Sequence, residues 1–508
     1  MVDAYLIGLD LGTTNAKALV CDTAGQIIRV ASRRMPLREL DGGWAEYDPG
    51  KVWETAAAVL RDAVGNLPDA RAVRAIAVTS MGEAGVPCAE DGTPLYPAIA
   101  WFDTRSAPQA QALLARMSAR ALYEITGVPS QPIHTVHKLA WLHDNEPDVF
   151  RRLRRWYFIA DYAVWRLCGA WGTDPSLASR SRMFDIRRRR WAPEILDAAQ
   201  IPARILPPVV PSGSPAGRLL PDVARDLGMP PDVLVAVGGH DHICAALASG
   251  VAEPGDILDS IGTAEALLAA AETPPPADVT LAAGFAVGCH VVADRFYVLG
   301  GIVMSGGAVE WIARLAGTPL PDLVDQASQI SPGADGLCFL AHLRGSLSPV
   351  VDPLAAGAFL GLRDVHGPAH LARAVLEGLA CEAKVNVDAL EGVVGRAGVM
   401  RVTGGGARLP MWLGIKAAVL DRPLEVLATA ECAALGAALL AGTARGVFAD
   451  AADAMRTGVR IGTRVDPDPA LARVMANRAR IYRDLYATVR PIHRRLRAGA
   501  ARGARMEG

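Results

Sequence analysis

Apolar residues fall into short runs broken by glycine and small polar turns, and the runs switch between a period of two and a helical period. Tyr5-Leu6-Ile7-Gly8-Leu9-Asp10 reads as a buried strand that ends in Gly12-Thr13-Thr14-Asn15. Residues 18–21 and 26–30 follow, separated by Asp22-Thr23-Ala24-Gly25, so the chain opens as a meander of three strands joined by tight turns. Asp48-Pro49 predicts a helix start, and Val52, Trp53, Ala56, Val59, Leu60 and Ala63 recur behind it at helical spacing. An apolar strand at 75–78 then leads into a loop around Glu83. Strands alternating with helices predict an α/β fold.

The opening pattern returns near Ile257. Leu258-Asp259-Ser260-Ile261-Gly262-Thr263-Ala264 again runs a strand into a Gly-Thr turn, and an apolar span at 266–271 ends at Thr273-Pro274-Pro275-Pro276. Two domains with the same opening hairpin are expected to face each other across a cleft. The boundary falls between Gly250 and Asp256, which gives units 1–250 and 251–485 and a basic tail, 486–508. In that tail Arg490, Arg494, Arg495, Arg497, Arg502 and Arg505 stand among Gly and Ala, a frayed, solvated end rather than an RNA-binding arm.

Composition narrows the class. Of 508 residues 51% are apolar, 21% are charged, and the formal net charge is −1. So even a balance argues against nucleic acid or anionic membrane as an obligate partner. Eight cysteines are scattered singly with no CxxC pair, which suits a reducing compartment and neither a disulfide framework nor a zinc site. No basic segment with a following apolar run opens the chain, and uncharged runs such as 296–309 fall short of the ~18 residues of a membrane helix. A soluble, cytoplasmic protein is expected.

Glycine and hydroxyl residues in a tight turn let backbone N–H groups approach phosphate oxygens. Two such turns at equivalent points of two repeats suit a nucleotide. Asp10 closes a buried strand, where an unpaired carboxylate is costly; a place beside Mg²⁺ accounts for it, with a turn-capping aspartate as the alternative. Lys17 reads either as a phosphate neutraliser or as a plain surface lysine. Val402-Thr403-Gly404-Gly405-Gly406-Ala407 joins a strand to a helix at 412–420, where bare backbone suits a ligand, though the spacing is not that of a GxGxxG dinucleotide site. The run 233–237 ends in Gly238-Gly239, expected to open room for a ligand, and delivers Asp241 at the strand tip between His240 and His242. A carboxylate there suits a general base for an attacking hydroxyl; the alternative is a cap for a helix at 243–249.

These stretches are similar to the FGGY family of carbohydrate kinases, of the actin-like ATPase superfamily, from about Tyr5 to Gly442. Gly8–Thr14 resembles the family's first phosphate hairpin, and Gly43-Trp44-Ala45-Glu46-Tyr47-Asp48-Pro49 its Trp-x-Glu-x-Asp-Pro stretch. Lys138-Leu139-Ala140-Trp141-Leu142 with Asp144-Asn145 looks like the first family signature, with Ile133 departing from it; Gly357-Ala358-Phe359-Leu360-Gly361-Leu362 with the following 370–377 fits the second. Leu206-Pro207-Pro208-Val209 is a further habitual stretch. The resemblance implies two actin-like (ribonuclease H-like) α/β domains closing over ATP, Mg²⁺ and a small sugar or polyol. It implies Asp241 as base, Asp10 near the metal, and Gly12, Thr13, Thr14, Lys17, Gly262 and Thr263 at the phosphates. Gly306, Glu310, Gly405 and Gly406 would surround the nucleoside, and a homodimer is common in the family.

The sugar pocket is expected from the loops 80–85 and 101–105, with Met81, Glu83, Trp101, Asp103, Asp241 and His242 as substrate residues. An aromatic face covers C–H groups while carboxylates accept O–H bonds. Glu83 stands where xylulokinases carry a histidine, and the Arg-Glu-Thr pattern of glycerol kinases is absent. A ketopentose or a C3 to C5 polyol fits best. Against an actin-like switch protein stand Glu83, Trp101 and Asp241, which a switch does not need; the intact Asp241 argues against a pseudokinase, and the missing GxGxxG against an NAD-dependent dehydrogenase.

Overall fold

The computed structural model of the chain describes residues 4–503. The predicted meander is present as β1 (Tyr5–Leu11), β2 (Asn15–Asp22) and β3 (Ile27–Arg34). In α1 (Pro49–Val64) the Asp48 carboxylate accepts the Lys51 N–H, as a residue at the N-cap does, and Val52, Ala56, Val59, Leu60 and Ala63 are buried. Then come β4 (Val73–Ser80), α2 (Thr135–Asn145), α3 (Pro175–Arg180), β5 (Pro215–Arg218), β6 (Leu234–His240) and α4 (Asp241–Ala248). The six strands form one sheet in the order β3-β2-β1-β4-β6-β5, parallel only where β1 meets β4 and β4 meets β6.

The second half repeats this plan. It holds β7 (Ile257–Ile261), β8 (Glu265–Ala271), β9 (Ala286–Cys289), β10 (Phe296–Ile302), α5 (Gly306–Ala316), β11 (Met400–Thr403), α6 (Pro410–Leu420), β12 (Leu424–Leu427), α7 (Cys432–Arg445), β13 (Ile461–Val465) and α8 (Pro469–Gly503). Its sheet runs β9-β10-β8-β7-β11-β12-β13, and apart from the extra edge strand β9 the succession of parallel and antiparallel pairs equals that of the first sheet. The repeat seen in two hairpins thus extends to two whole sheets, the actin-like two-domain architecture. In both, the hairpin turn lies at the carboxyl end of the central parallel strands, where open α/β sheets place ligands.

The halves share packing. Helix α7 follows the second sheet's parallel strands yet lies on the first sheet: a Cβ at Gly8 would fall 1.7 Å from the Ala434 carbonyl oxygen, and one at Gly436 1.9 Å from that of Cys244. Such backbone contact needs glycine. Leu6, Ala75 and Ala236 of the first sheet join Leu258 and Leu268 of the second and Ala437, Ala438, Leu439 and Leu440 of α7 in one apolar cluster.

The expected frayed tail is different. Helix α8 crosses position 486 without a break, burying Tyr482, Tyr486 and Val489, while Arg490 and Arg494 reach Asp352 at 3.1 and 3.6 Å. Apolar anchors every three or four residues hold the helix to the second domain, a period the arginines obscure. Arg497 and Arg502 lie where only backbone is described, and Arg505 lies outside the described residues.

Candidate active site

Asp10, one residue before the end of β1, pairs in register with Lys17 on β2 and Thr79 on β4. Its Oδ1 is buried without a hydrogen-bond partner. Burial pushes the carboxyl up to about 8, with Asp241 and Glu431 adding to the rise and Lys17 opposing it. Lys17 forms an ion pair with Glu431, just before α7, so the first hairpin is tied to the second half of the chain. From there a continuous path leads to the second hairpin. Thr403 at the end of β11 donates to the Thr429 carbonyl at 3.3 Å, and at Gly404, with φ of 93°, a Cβ would stand 2.5 Å from the Ile261 carbonyl oxygen.

Asp241 opens α4 directly after β6. The register slips between Val237 and Gly239, a bulge that re-aims the strand end. Gly238 and Gly239 do not open room for a ligand: a Cβ on Gly238 would fall 2.0 Å from the Val78 carbonyl oxygen, and one on Gly239 2.7 Å from Val291. They let the bulge press against its neighbours. The Asp241 carboxylate does not cap the helix in the usual way; Oδ1 accepts only the adjacent His242 N–H, at 2.6 Å. Burial lifts its carboxyl to about 7; the His242 N–H holds it down, Glu83 raises it and Arg180 opposes. His240 Nε2 lies 3.3 Å from Asp241 Oδ1, but burial pushes the His240 ring well below its ordinary range and His242 down to about 4. Both rings are therefore neutral at pH 7 and Asp241 has no cationic contact of its own.

The loop 80–85 carries Glu83 into this cluster. Its Oε1 accepts from Arg180 Nε at 2.8 Å, and a second guanidinium nitrogen also meets it. Arg180, at the end of α3, escaped the sequence reading because its partner lies 97 positions away and nothing local marks it. Met81 is buried in the apolar core of the first half. Lys138 on α2, quoted in the motif but given no role, is fully buried; its Nζ lies 2.8 Å from the Ala100 carbonyl and within 3.5 Å of those of Glu83, Ile99 and Trp101. One ammonium thus holds together both loops expected to form the sugar pocket, and burial pulls its pKa down to about 7.

Trp101 Nε1 donates to Thr13 Oγ1 at 2.8 Å, joining the second loop to the first hairpin. Asp103 is a correction. Oδ1 accepts from the Arg105 N–H and Nε, Oδ2 from the Ala45 N–H and Arg105 Nη2, all within 3.0 Å, and the side chain is fully buried. With every lone-pair direction engaged, it shapes the loop and has no capacity left for a sugar. Arg105 also reaches Glu46 at 2.8 Å and lies over the Trp44 ring.

The two turns are held differently. In the first, Gly12 N–H donates to the Asn15 carbonyl, the Thr13 carbonyl accepts the Tyr47 hydroxyl, and Thr14 is exposed. In the second, the Gly262 and Thr263 carbonyls accept the N–H groups of Ser305, Gly306 and Gly307 at the start of α5. Gly306 therefore has its N–H engaged, and a Cβ there would fall 2.5 Å from the Gly262 carbonyl oxygen. Glu310 is exposed on α5; Gly405 is exposed with open space on its Cβ side, whereas a Cβ on Gly406 would strike Ile261 and Trp412.

Models of the FGGY family of carbohydrate kinases match residues 5–248 (N-terminal domain) and 258–445 (C-terminal domain). L-fuculokinase of Escherichia coli O157:H7 is 32% identical over 447 residues, covering 86% of this chain and 92% of its own. Gluconokinase of Bacillus subtilis is 27% identical over 451 residues, with 86% and 87% covered. The crystal structure of xylulose kinase from Rhodospirillum rubrum is 31% identical and superposes with a TM-score of 0.88 over 96% of this chain and 100% of that one. With both domain models matched in order and both sheets built on one plan, the chain belongs to the FGGY family of carbohydrate kinases, phosphotransferases that act on a sugar hydroxyl.

Proposed function

We propose that this ATP-dependent kinase is xylulokinase-like, phosphorylating a hydroxyl of a small ketose, with Asp241 as its general base. The observation that carries the reading is the place of the Asp241 carboxyl at the end of a bulged strand, where its charge reaches Asp10 and burial lifts it to about 7. A base poised near the working pH balances availability against basicity. The acceptor hydroxyl gives its proton to Asp241 as its oxygen bonds to the γ-phosphorus, the bond from phosphorus to the β,γ-bridging oxygen breaks, and ADP leaves. Thr13, Thr14 and Lys17 on one turn and Gly262 and Thr263 on the other are assigned to the phosphates. Gly405, with its open side, and Glu310 are assigned to the nucleoside.

Among the described residues no group of three or more His, Cys, Asp or Glu could hold an ion alone. Mg²⁺ commonly binds through one or two carboxylates plus phosphate oxygens, and the unpartnered Oδ1 of Asp10 fits that habit. When bound, the ion neutralises phosphate charge; Asp10 would hold it. The eight cysteines are free thiols, seven of them buried, and among the described residues no helix is long and apolar enough to cross a membrane; both support action in the cytoplasm. A glycerol-type kinase is less favoured, because the pattern beside Glu83 differs.

Asp241→Asn tests the assignment: sugar-dependent ADP release should fall by about 10²–10⁴-fold, the usual worth of a positioned base, with ATP affinity retained. Turnover within about tenfold of wild type would refute it.

A further inference from the structure

Glu83 adopts φ of 60°, a left-handed conformation that non-glycine residues enter only when their surroundings impose it. Four groups impose it here. Arg180 grips the carboxylate, Thr135 Oγ1 donates to the Glu83 carbonyl at 3.0 Å, Lys138 Nζ lies 3.4 Å from the same oxygen, and Gly82 is wedged where a Cβ would touch both Arg180 and His240 at 3.1 Å. The Glu83–Arg180 pair is nearly sealed, with side-chain exposures of 4% and 13%.

The cations of this cluster are all engaged with groups of the protein. Arg180 Nη1, the Tyr297 hydroxyl and His240 Nδ1 are buried, and the hydroxyl and the guanidinium are within hydrogen-bonding reach of one another. Tyr297, on β10 of the second domain, faces the same guanidinium, so the group spans both halves. Glu83 cancels the guanidinium charge, both imidazoles are neutral, and Lys17 is matched by Glu431. Lys138 is held by the backbone carbonyls of Glu83 and Ala100, and burial pulls it down to about 7. Asp10 and Asp241 contribute only negative charge. An uncharged acceptor needs no counter-charge here, whereas an acceptor with its own carboxylate meets a floor that is neutral to negative.

We propose that the Glu83–Arg180 pair is the acceptor-charge filter of this enzyme: it admits neutral sugars and rejects sugar acids such as aldonates, so that specificity is built by withholding a counter-charge. The inference rests on the kinase reading of the Asp241 site. Within a family whose relatives include a gluconokinase and an L-fuculokinase, it assigns this chain to neutral acceptors.

The test measures kcat/KM for xylulose and for gluconate with the full chain. Wild type should favour xylulose. Glu83→Gln, which frees the guanidinium charge at constant shape, should move the gluconate-to-xylulose ratio toward gluconate by about tenfold or more, and Glu83→Gln with Arg180→Gln should remove that gain. If Glu83→Gln does not fold, as judged by loss of ATP-induced thermal stabilisation, Glu83→Asn carries the same expectation, because Asn tolerates φ near 60°. Wild-type preference for gluconate, or a ratio unmoved by loss of the Glu83 charge, overturns the filter and leaves the kinase reading standing. Absence of ADP release with every sugar would instead overturn the kinase site itself.

Discussion

The first and second hairpins share turn residues, strand order and position in their sheets, yet they handle buried charge in opposite ways. In the first, Asp10 stands near the strand end with Oδ1 unpartnered and its carboxyl pushed up to about 8. In the second, the equivalent position before the Gly-Thr turn is Ser260. Its acids, Asp259 and Glu265, lie fully buried around Lys416, which bonds Glu265 at 2.7 Å and also contacts Asp259, while Ser305 donates to Glu265 at 2.6 Å. One hairpin keeps a carboxylate unsatisfied where a ligand can complete it. Its twin gathers two carboxylates around one lysine, leaving Asp259 Oδ1 without a partner and that carboxyl raised by burial and by Glu265, and it is seated on the start of α5. The two hairpins share one plan, and they differ in the cation that stands between the acids of the second.

The largest effect should come from the closed side. Lys416→Met leaves two carboxylates buried together without a cation and should cost about 3–5 kcal/mol of stability, read as a lowered urea midpoint. Sugar-dependent turnover per folded molecule should persist, since Lys416 touches nothing assigned to ligand. An unchanged midpoint would mean that this triad is not what holds the second hairpin.

The open side should show the reverse. Asp10→Asn should lower kcat by roughly 10²-fold or more, whereas Ser260→Ala at the matching position should stay within about threefold. Stability should move the other way. An aspartate titrating near 8 in the folded protein and about 4 in the unfolded chain keeps a proton that the unfolded chain releases. Its contribution therefore falls as pH rises from about 4 to about 8. With EDTA present, Asp10→Asn should be more stable than wild type at pH 8 by on the order of 1 kcal/mol or more, and indistinguishable below pH 4. Equal melting shifts at both pH values would show that Asp10 is already paired.

The two hairpins were legible in the sequence, but the difference between them was not, and what was missed has a common cause. The hairpins, α1 and the strand before Asp241 are local patterns, set by turn residues, a cap and apolar spacing within a dozen positions. Glu83, Trp101 and Asp103 stand out in the sequence by residue type, but their partners decide what they do. Asp103 is closed by Arg105 two residues on, a pairing that could have been suspected from i,i+2 complementarity. Glu83 is closed by Arg180, 97 residues on, which no local pattern reveals. Nothing in the Ala- and Gly-rich α7 says that it lies on the sheet of the other half.

The smallest effect concerns the joint between the sugar loop and the open hairpin. Trp101 was expected to lie against a sugar, and its indole N–H is held by Thr13 Oγ1, which ties its loop to the first hairpin. If that bond positions the phosphate turn, Trp101→Phe and Thr13→Val should each raise KM for ATP severalfold and KM for the sugar less, since a neutral hydrogen bond contributes about 1 kcal/mol. The double variant should be little worse than either single one, a coupling of about 1 kcal/mol in kcat/KM for ATP, because the second substitution removes a bond already lost. Additive losses, with the tryptophan variant acting on sugar and the threonine variant on ATP, would separate the two roles and return Trp101 to the sugar pocket alone. The coupled outcome would mean that the open hairpin is registered on the acceptor loop directly, a contact for which the second hairpin, held by backbone N–H groups of α5, has no counterpart.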